Sequence, residues 1–320
     1  MSENISRKIS FFMLVYVGIV VLFHSEFRYY YPVINDLTVA ANAYFFCVSA
    51  FFFYRPSKND VKTKLKRRVS SLLLPYLLWN LIYLFLRFFQ GPIFMFNVVQ
   101  GFTVNPLCTP SWYLVTLFIM FLPAALIEKF LAKKSGAFVL IGVGAVISIF
   151  GGIVFAAGPA SLPWVGGYIV RMFQYVLPYS IGAALGSNFD KKIAVGAKNC
   201  VSGILFTAAI IVLFTCNLSG GIKWFLCILL PLALWEALPD ACFGKVPGFQ
   251  KFITGPAFFL NMSHCLLLFL AGLFTSKITF LHGKYVELVR VGVVVVLSYV
   301  LFYLMKKFLP KVLWYLSGKR

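Results

Sequence analysis

A chain of 320 residues that is 61% hydrophobic and 12% charged, with a mean hydropathy of +0.90, has too little polar surface to cover a water-soluble globule. It reads as an all-α, polytopic integral membrane helical bundle. The net charge of +20 would suit nucleic acid on a soluble protein. Here the cations lie mainly in short segments between apolar runs, where membrane orientation accounts for them and no nucleic-acid partner is expected.

Apolar runs long enough to cross or nearly cross a bilayer lie at about 9–25, 37–54, 70–89, 112–132, 136–157, 165–186, 199–217, 221–238, 255–275 and 286–309. These make about ten transmembrane helices in one domain, 1–320. Arg7-Lys8 before the first run resembles the start of a signal peptide. The following HSEFRYYY offers no small-residue cleavage site, so a retained first helix is expected. With both termini cytoplasmic, inner segments hold 22 of the 29 Lys and Arg, outer segments and helix ends hold six, and Arg171 lies inside a span. That bias supports an even helix count. The outer connection from Gln90 to Ser111 is uncharged and rich in Phe, Pro, Gly and Asn; it reads either as a lid over a cavity or as a loop on the headgroups.

Ionisable groups at membrane depth are costly and therefore functional candidates. His24 ends the first run, where it can serve as a general base on a hydroxyl or simply cap the helix at the interface. Glu26, two positions on, would not share its helical face. Seven cations fall between Arg55 and Arg68, directly before Ser70-Ser71 and the apolar stretch through Pro75, Tyr76 and Asn80. A helix beginning at those serines, flanked by guanidinium groups, would form a phosphate site, with anionic lipid the competing ligand. Pro75 would fit that helix start or kink the helix. Arg171 shares a face with Gln174 and Tyr175 and must meet an anion or carbonyls, or tie helices together. Asn261, Ser263 and His264 are further buried polar candidates in the ninth run, whereas His282 falls in an outer loop. Seven cysteines without a CxxC pair read as small core residues, and three histidines spread over ten helices predict no metal site.

These residues together resemble the acyltransferase type 3 family, integral membrane O-acyltransferases that modify bacterial surface polysaccharides and related acceptors. The resemblance runs along most of the chain. It comprises a first helix ending in His24; FFCVSAFFFYR (Phe45 to Arg55); KRRVSSLLLPYLLWN (Lys66 to Asn80); SWYLVTLFIMFL (Ser111 to Leu122); LPYSIGAALG (Leu177 to Gly186); and FFLNMSHCLLLF (Phe258 to Phe269), a late helix carrying a histidine. The chain departs from the family pattern at Met13, Ala50, Ser71 and Val115, where many members carry an arginine or, at the second position, glycine. Lys64, Arg67 or Arg171 would then supply the missing charge.

The resemblance implies transfer of an acyl group, most often acetyl, from acyl-CoA to a hydroxyl of a cell-envelope or exported glycan or a lipid-linked saccharide, in a bacterial-type inner membrane. No cofactor is permanently bound; acetyl-CoA is the donor substrate. His24 would take the proton or carry the acyl group. Lys64, Arg67 and Arg68 would meet the CoA phosphates. Tyr76, Asn80 and Arg171 would position the thioester and the oxyanion, and His264 would be structural or acceptor-side. The alternatives are a transporter of a polysaccharide or lipid-linked intermediate, or an inactive subunit of a surface-polymer assembly system.

Overall fold

The computed structural model describes residues 3–88, 102, 106–133, 135–156, 172–188, 197–215, 220–239, 242–243, 249–275 and 283–318. In chain order the helices are α1 (Glu3–His24), α2 (Phe27–Tyr30), α3 (Val33–Tyr54), α4 (Val61–Arg68), α5 (Leu74–Phe88), α6 (Trp112–Phe121), α7 (Ala124–Leu131), α8 (Gly136–Ala156), α9 (Val176–Ser187), α10 (Ala197–Thr215), α11 (Gly220–Ala237), α12 (Phe249–Thr275), α13 (Lys284–Phe308) and α14 (Pro310–Leu316). Among the described residues there is no strand. The expected all-α class is the observed one.

Among the described residues six segments are long and apolar enough to cross a bilayer: Asn4–His24, Val33–Tyr54, Val61–Phe88, Gly136–Ile153, Gly255–Thr275 and Lys284–Phe308. The bent pair Thr109–Phe121 and Ala124–Leu131, broken around Pro123, adds a seventh if taken as one span. The seventh and eighth predicted runs are also helical, as α10 and α11, but are not among the helices of spanning length and hydropathy. The sixth, 165–186, is described only from residue 172 and contains α9. Outward faces are greasy: α13 exposes Val289, Val293, Val296, Leu297, Val300 and Leu301, and α8 exposes Phe138, Val146, Phe150 and Ile153. Hydrocarbon, not water, solvates stripes of that kind, and helices close all their backbone hydrogen bonds within themselves.

The chain forms two compact units. The first comprises Met1–Phe12, Asp36–Lys64 and Met120–Gln250. Its seam is the pair α3 and α9. A Cβ on Gly182 would overlap the Cys47 carbonyl, and one on Gly186 the Phe51 carbonyl. The small-xxx-small spacing therefore lets two backbones meet directly, the usual packing solution where no hydrophobic effect drives helices together. Polar groups along this seam are paired. The Tyr54 and Tyr179 hydroxyls lie 3.0 Å apart, and Tyr179 donates to the Met120 carbonyl at 2.8 Å. Ser148 accepts the Leu177 N–H at 2.8 Å and donates to the Phe173 carbonyl at 3.1 Å, satisfying the start of α9.

The second unit comprises Met13–Asn35, Leu65–Ile119 and Lys251–Arg320. Its interior is laced by α5, α12 and α14. Trp79 Nε1 donates to the Leu316 carbonyl at 3.1 Å, and its ring meets Phe259 edge-on. Tyr83 donates to the Met262 carbonyl at 3.2 Å and accepts the Leu266 N–H at 3.0 Å. Pro75 has no N–H, and its ring would clash with the carbonyl four residues back in a regular helix. A π-helical turn, Val69–Leu73, absorbs that conflict and joins α4 to α5. Gly318 then closes on the Ser71 carbonyl, at a φ of 70° that suits glycine.

One local expectation is corrected. Ser70 and Ser71 do not start a helix, because the chain is already helical from Val61. The start lies at Asp60, whose side chain accepts the Thr63 N–H at 3.2 Å. The Ser70 hydroxyl instead donates back to the Arg67 carbonyl at 3.0 Å. The backbone donors at Ser70-Ser71 are spent within the helix, so no phosphate cradle of free N–H groups exists there.

Candidate active site

His24 is the last residue of α1, and the chain leaves the helix immediately after it. Ser25 makes that exit: its N–H reaches the Val21 carbonyl at 3.1 Å, its hydroxyl donates to the Leu22 carbonyl at 2.8 Å, and its oxygen accepts the Phe27 N–H at 3.3 Å. The next residue is anchored from α13. The Glu26 N–H donates to Glu287 Oε2 at 3.2 Å, and Glu287 Oε1 pairs with Arg290 Nη1 at 2.7 Å. Arg290 Nε in turn donates to Thr275 Oγ1 at 3.2 Å at the end of α12. Glu287 is 3% exposed. A carboxylate so buried requires these partners, and the arrangement fixes the turn that carries His24.

The fold brings His264 of α12 against His24, with ring centroids 4.9 Å apart and the rings tilted by 49°. His264 is fully buried. Its Nδ1 lies 3.2 Å from the Leu260 carbonyl. A carbonyl only accepts, so Nδ1 carries the proton and Nε2 presents a lone pair. Among the described residues Nε2 has no hydrogen-bond partner. Cys265, the next residue, completes a cluster in which one donor atom from each of His24, His264 and Cys265 lies within 4.8 Å of the others. Cys108 is a further buried thiol; its S–H faces the Met262 carbonyl at 3.6 Å, and burial followed by the neighbouring Cys265 pushes it above the ordinary thiol range.

Two of the expected positioning groups are occupied structurally. Asn80 Nδ2 donates to the Tyr76 carbonyl at 2.7 Å and to Ser111 Oγ at 3.0 Å, while Oδ1 accepts the Cys108 N–H at 3.1 Å. The Tyr76 hydroxyl donates to the Phe102 carbonyl at 2.7 Å. Both hold α5 to the segment that leads into α6. Ser263 pairs with Ser298 across α12 and α13 at 3.4 Å, as helix glue. Lys64, Arg67 and Arg68 share one side of α4 at i, i+3 and i+4. Lys64 contacts Glu128 at 3.3 Å, whereas Arg67 is exposed and Arg68 half-buried. Arg171 and His282 lie outside the described residues.

Sequence reasoning passed over Cys265, Glu287 and Arg290 as site residues. For the pair the signal was present: an acid and a base three apart at the start of the last apolar run. Nothing in the sequence signalled Cys265, whose interest comes only from the two rings beside it.

A bundle of membrane helices in which the buried ring of His264 meets the half-buried ring of His24 defines the class, an integral membrane protein with two neighbouring imidazoles in its helical interior. The family model described as an acyltransferase domain, that of the acyltransferase type 3 family, matches residues 12–238. The chain belongs to that family and is a membrane acyltransferase. No curated protein and no solved structure matches it. His24 and Asn80 fall within the matched segment; His264, Cys265, Glu287 and Arg290 lie beyond it.

Proposed function

We propose that the protein transfers an acyl group, acetyl above all, from acyl-CoA to a hydroxyl of a cell-envelope or exported glycan in a bacterial-type inner membrane. The observation that carries this reading is the His24–His264 pair at 4.9 Å in an acyltransferase type 3 chain. In this reading the His24 lone pair accepts the proton of the acceptor hydroxyl as that oxygen attacks the thioester carbonyl. The tetrahedral intermediate then collapses, the C–S bond breaks, and His24 returns the proton to the departing CoA thiolate. An acyl-histidine route with the same residue is the covalent variant. His264 lies against the base and limits its ring orientations. Its own proton is committed to Leu260, so it does not compete as a donor for the same lone pair.

The cationic side of α4 supplies the donor contact in this proposal, with Arg67 and Arg68 on the phosphates of CoA and Lys64 exchanging Glu128 for the ligand. To serve the oxyanion, Tyr76 and Asn80 would exchange their present hydrogen bonds for the ligand, and Arg171 stays a candidate. The reading is tested by supplying purified protein in nanodiscs with acetyl-CoA labelled in the acetyl group and a mixed envelope-glycan extract. Label entering glycan with stoichiometric release of CoA supports it. Binding of CoA without label transfer points to an inactive subunit, and the absence of CoA binding puts a transporter first.

A further inference from the structure

We propose that His24, His264 and Cys265 form a binding site for a soft divalent cation of the zinc class, and that an ion held there blocks acyl transfer by occupying the lone pair of His24. The blocking half rests on the catalytic reading of His24; the binding half does not.

Three observations converge. One donor atom from each residue lies within 4.8 Å of the others. With Zn–N near 2.0 Å and Zn–S near 2.3 Å, ligand atoms around a tetrahedral ion sit about 3.5 Å apart, so closure asks for side-chain movements of roughly an ångström. His24 can supply much of that, standing half-buried at a helix end where the backbone already turns away. Next, His264 has the arrangement that metal-bound imidazoles favour, its Nδ1–H on a backbone carbonyl and its Nε2 lone pair open. That nitrogen is buried with no partner among the described residues, which an ion would correct. Finally, the donors are two imidazoles and a thiol, a set that prefers zinc-class ions to magnesium or calcium, and three protein ligands leave a fourth position for water. On binding, the Cys265 S–H loses its proton to solvent or buffer and the thiolate joins the ion; no oxidation state changes.

The test uses the purified full chain, freed of metal by chelation, with Cd²⁺ as the optical probe and Zn²⁺ as the inhibitor. The wild type, Cys265→Ser, Cys265→Ala and His264→Gln are compared. The wild type should show an ultraviolet thiolate–Cd²⁺ band saturating at one ion. The Cys265 variants should lose that band, and in His264→Gln the affinity should fall at least about tenfold, as even outer-shell partners are worth that much. Zn²⁺ should inhibit wild-type transfer and chelation restore it, while Cys265→Ser, measured against its own chelated rate, needs at least about tenfold more Zn²⁺ for the same fractional inhibition. A Cd²⁺ band unchanged in the Cys265 variants overturns the site, because six other cysteines would then be responsible. A chelated wild type that has lost transfer overturns the blocking claim, since the ion would then be needed. A chain that binds Cd²⁺ through these ligands yet moves no label keeps the site and discards the catalytic reading.

Discussion

The α3–α9 seam of the first unit and the α5–α12 interior of the second are both buried, yet they treat polar atoms differently. Along the seam, Gly182 and Gly186 bring backbones together, and the Tyr54 and Tyr179 hydroxyls bind each other, Tyr179 also reaching the Met120 carbonyl. In the second unit Asn80 is equally closed, with three hydrogen bonds around its amide, but His264 Nε2 stays open beside His24. A closed buried polar group contributes to holding the fold. An open one lowers stability, and beside a second imidazole it offers a lone pair that chemistry can use. Substitutions should therefore separate into those that cost stability and those that cost turnover.

The sharpest contrast is expected at His264. His264→Gln should lower kcat about 100-fold by loosening the ring of His24, with little change in thermal stability in detergent. Gly182→Val should do the reverse, costing about 3 kcal/mol because the new side chain meets the Cys47 backbone rather than a flexible neighbour. Per folded molecule its transfer rate should be that of the wild type; a large loss of turnover at full folding would break the distinction. Asn80→Ala should cost about 2 kcal/mol, since it strands the Cys108 N–H and the Ser111 hydroxyl. If its main effect is instead on kcat, Asn80 belongs with the reacting groups.

The smallest effect is expected at Asp60, fully exposed at the start of α4. Hydrogen bonds from Thr63 hold its carboxyl below the ordinary range. A lowered native value stabilises the helix start above the ordinary carboxylate pKa, and that contribution is lost as pH falls through the native one. Asp60→Ala should thus fray the first turn at neutral pH and make no difference in strong acid, which hydrogen exchange at residues 61–64 would register.

Much of the fold was legible because its cause is local. Runs of apolar residues, interrupted by basic segments, specify membrane helices whatever they pack against, and the all-α class follows. The start of α4 was misplaced because two caps competed: Ser70-Ser71 stands before an apolar run, but Asp60 with Thr63 three residues later begins the helix earlier, and the π-turn at Val69–Leu73 lets it pass Pro75. His24 and His264 were each visible as polar residues in apolar runs. Their meeting was not, because 240 positions separate them and only the packing of α12 against the end of α1 brings them together. The same holds for Glu287, which reaches the Glu26 N–H across 261 positions.

The central claim is that His24 performs the chemistry rather than holding the fold or the donor. The direct measurement is a pair of assays on His24→Ala in nanodiscs, equilibrium binding of acetyl-CoA and transfer of its labelled acetyl group. The account predicts CoA affinity within about threefold of wild type and transfer reduced by roughly 10²–10⁴-fold, the usual worth of a positioned base. Transfer that survives at the wild-type rate, or that falls only in step with CoA binding, would contradict it.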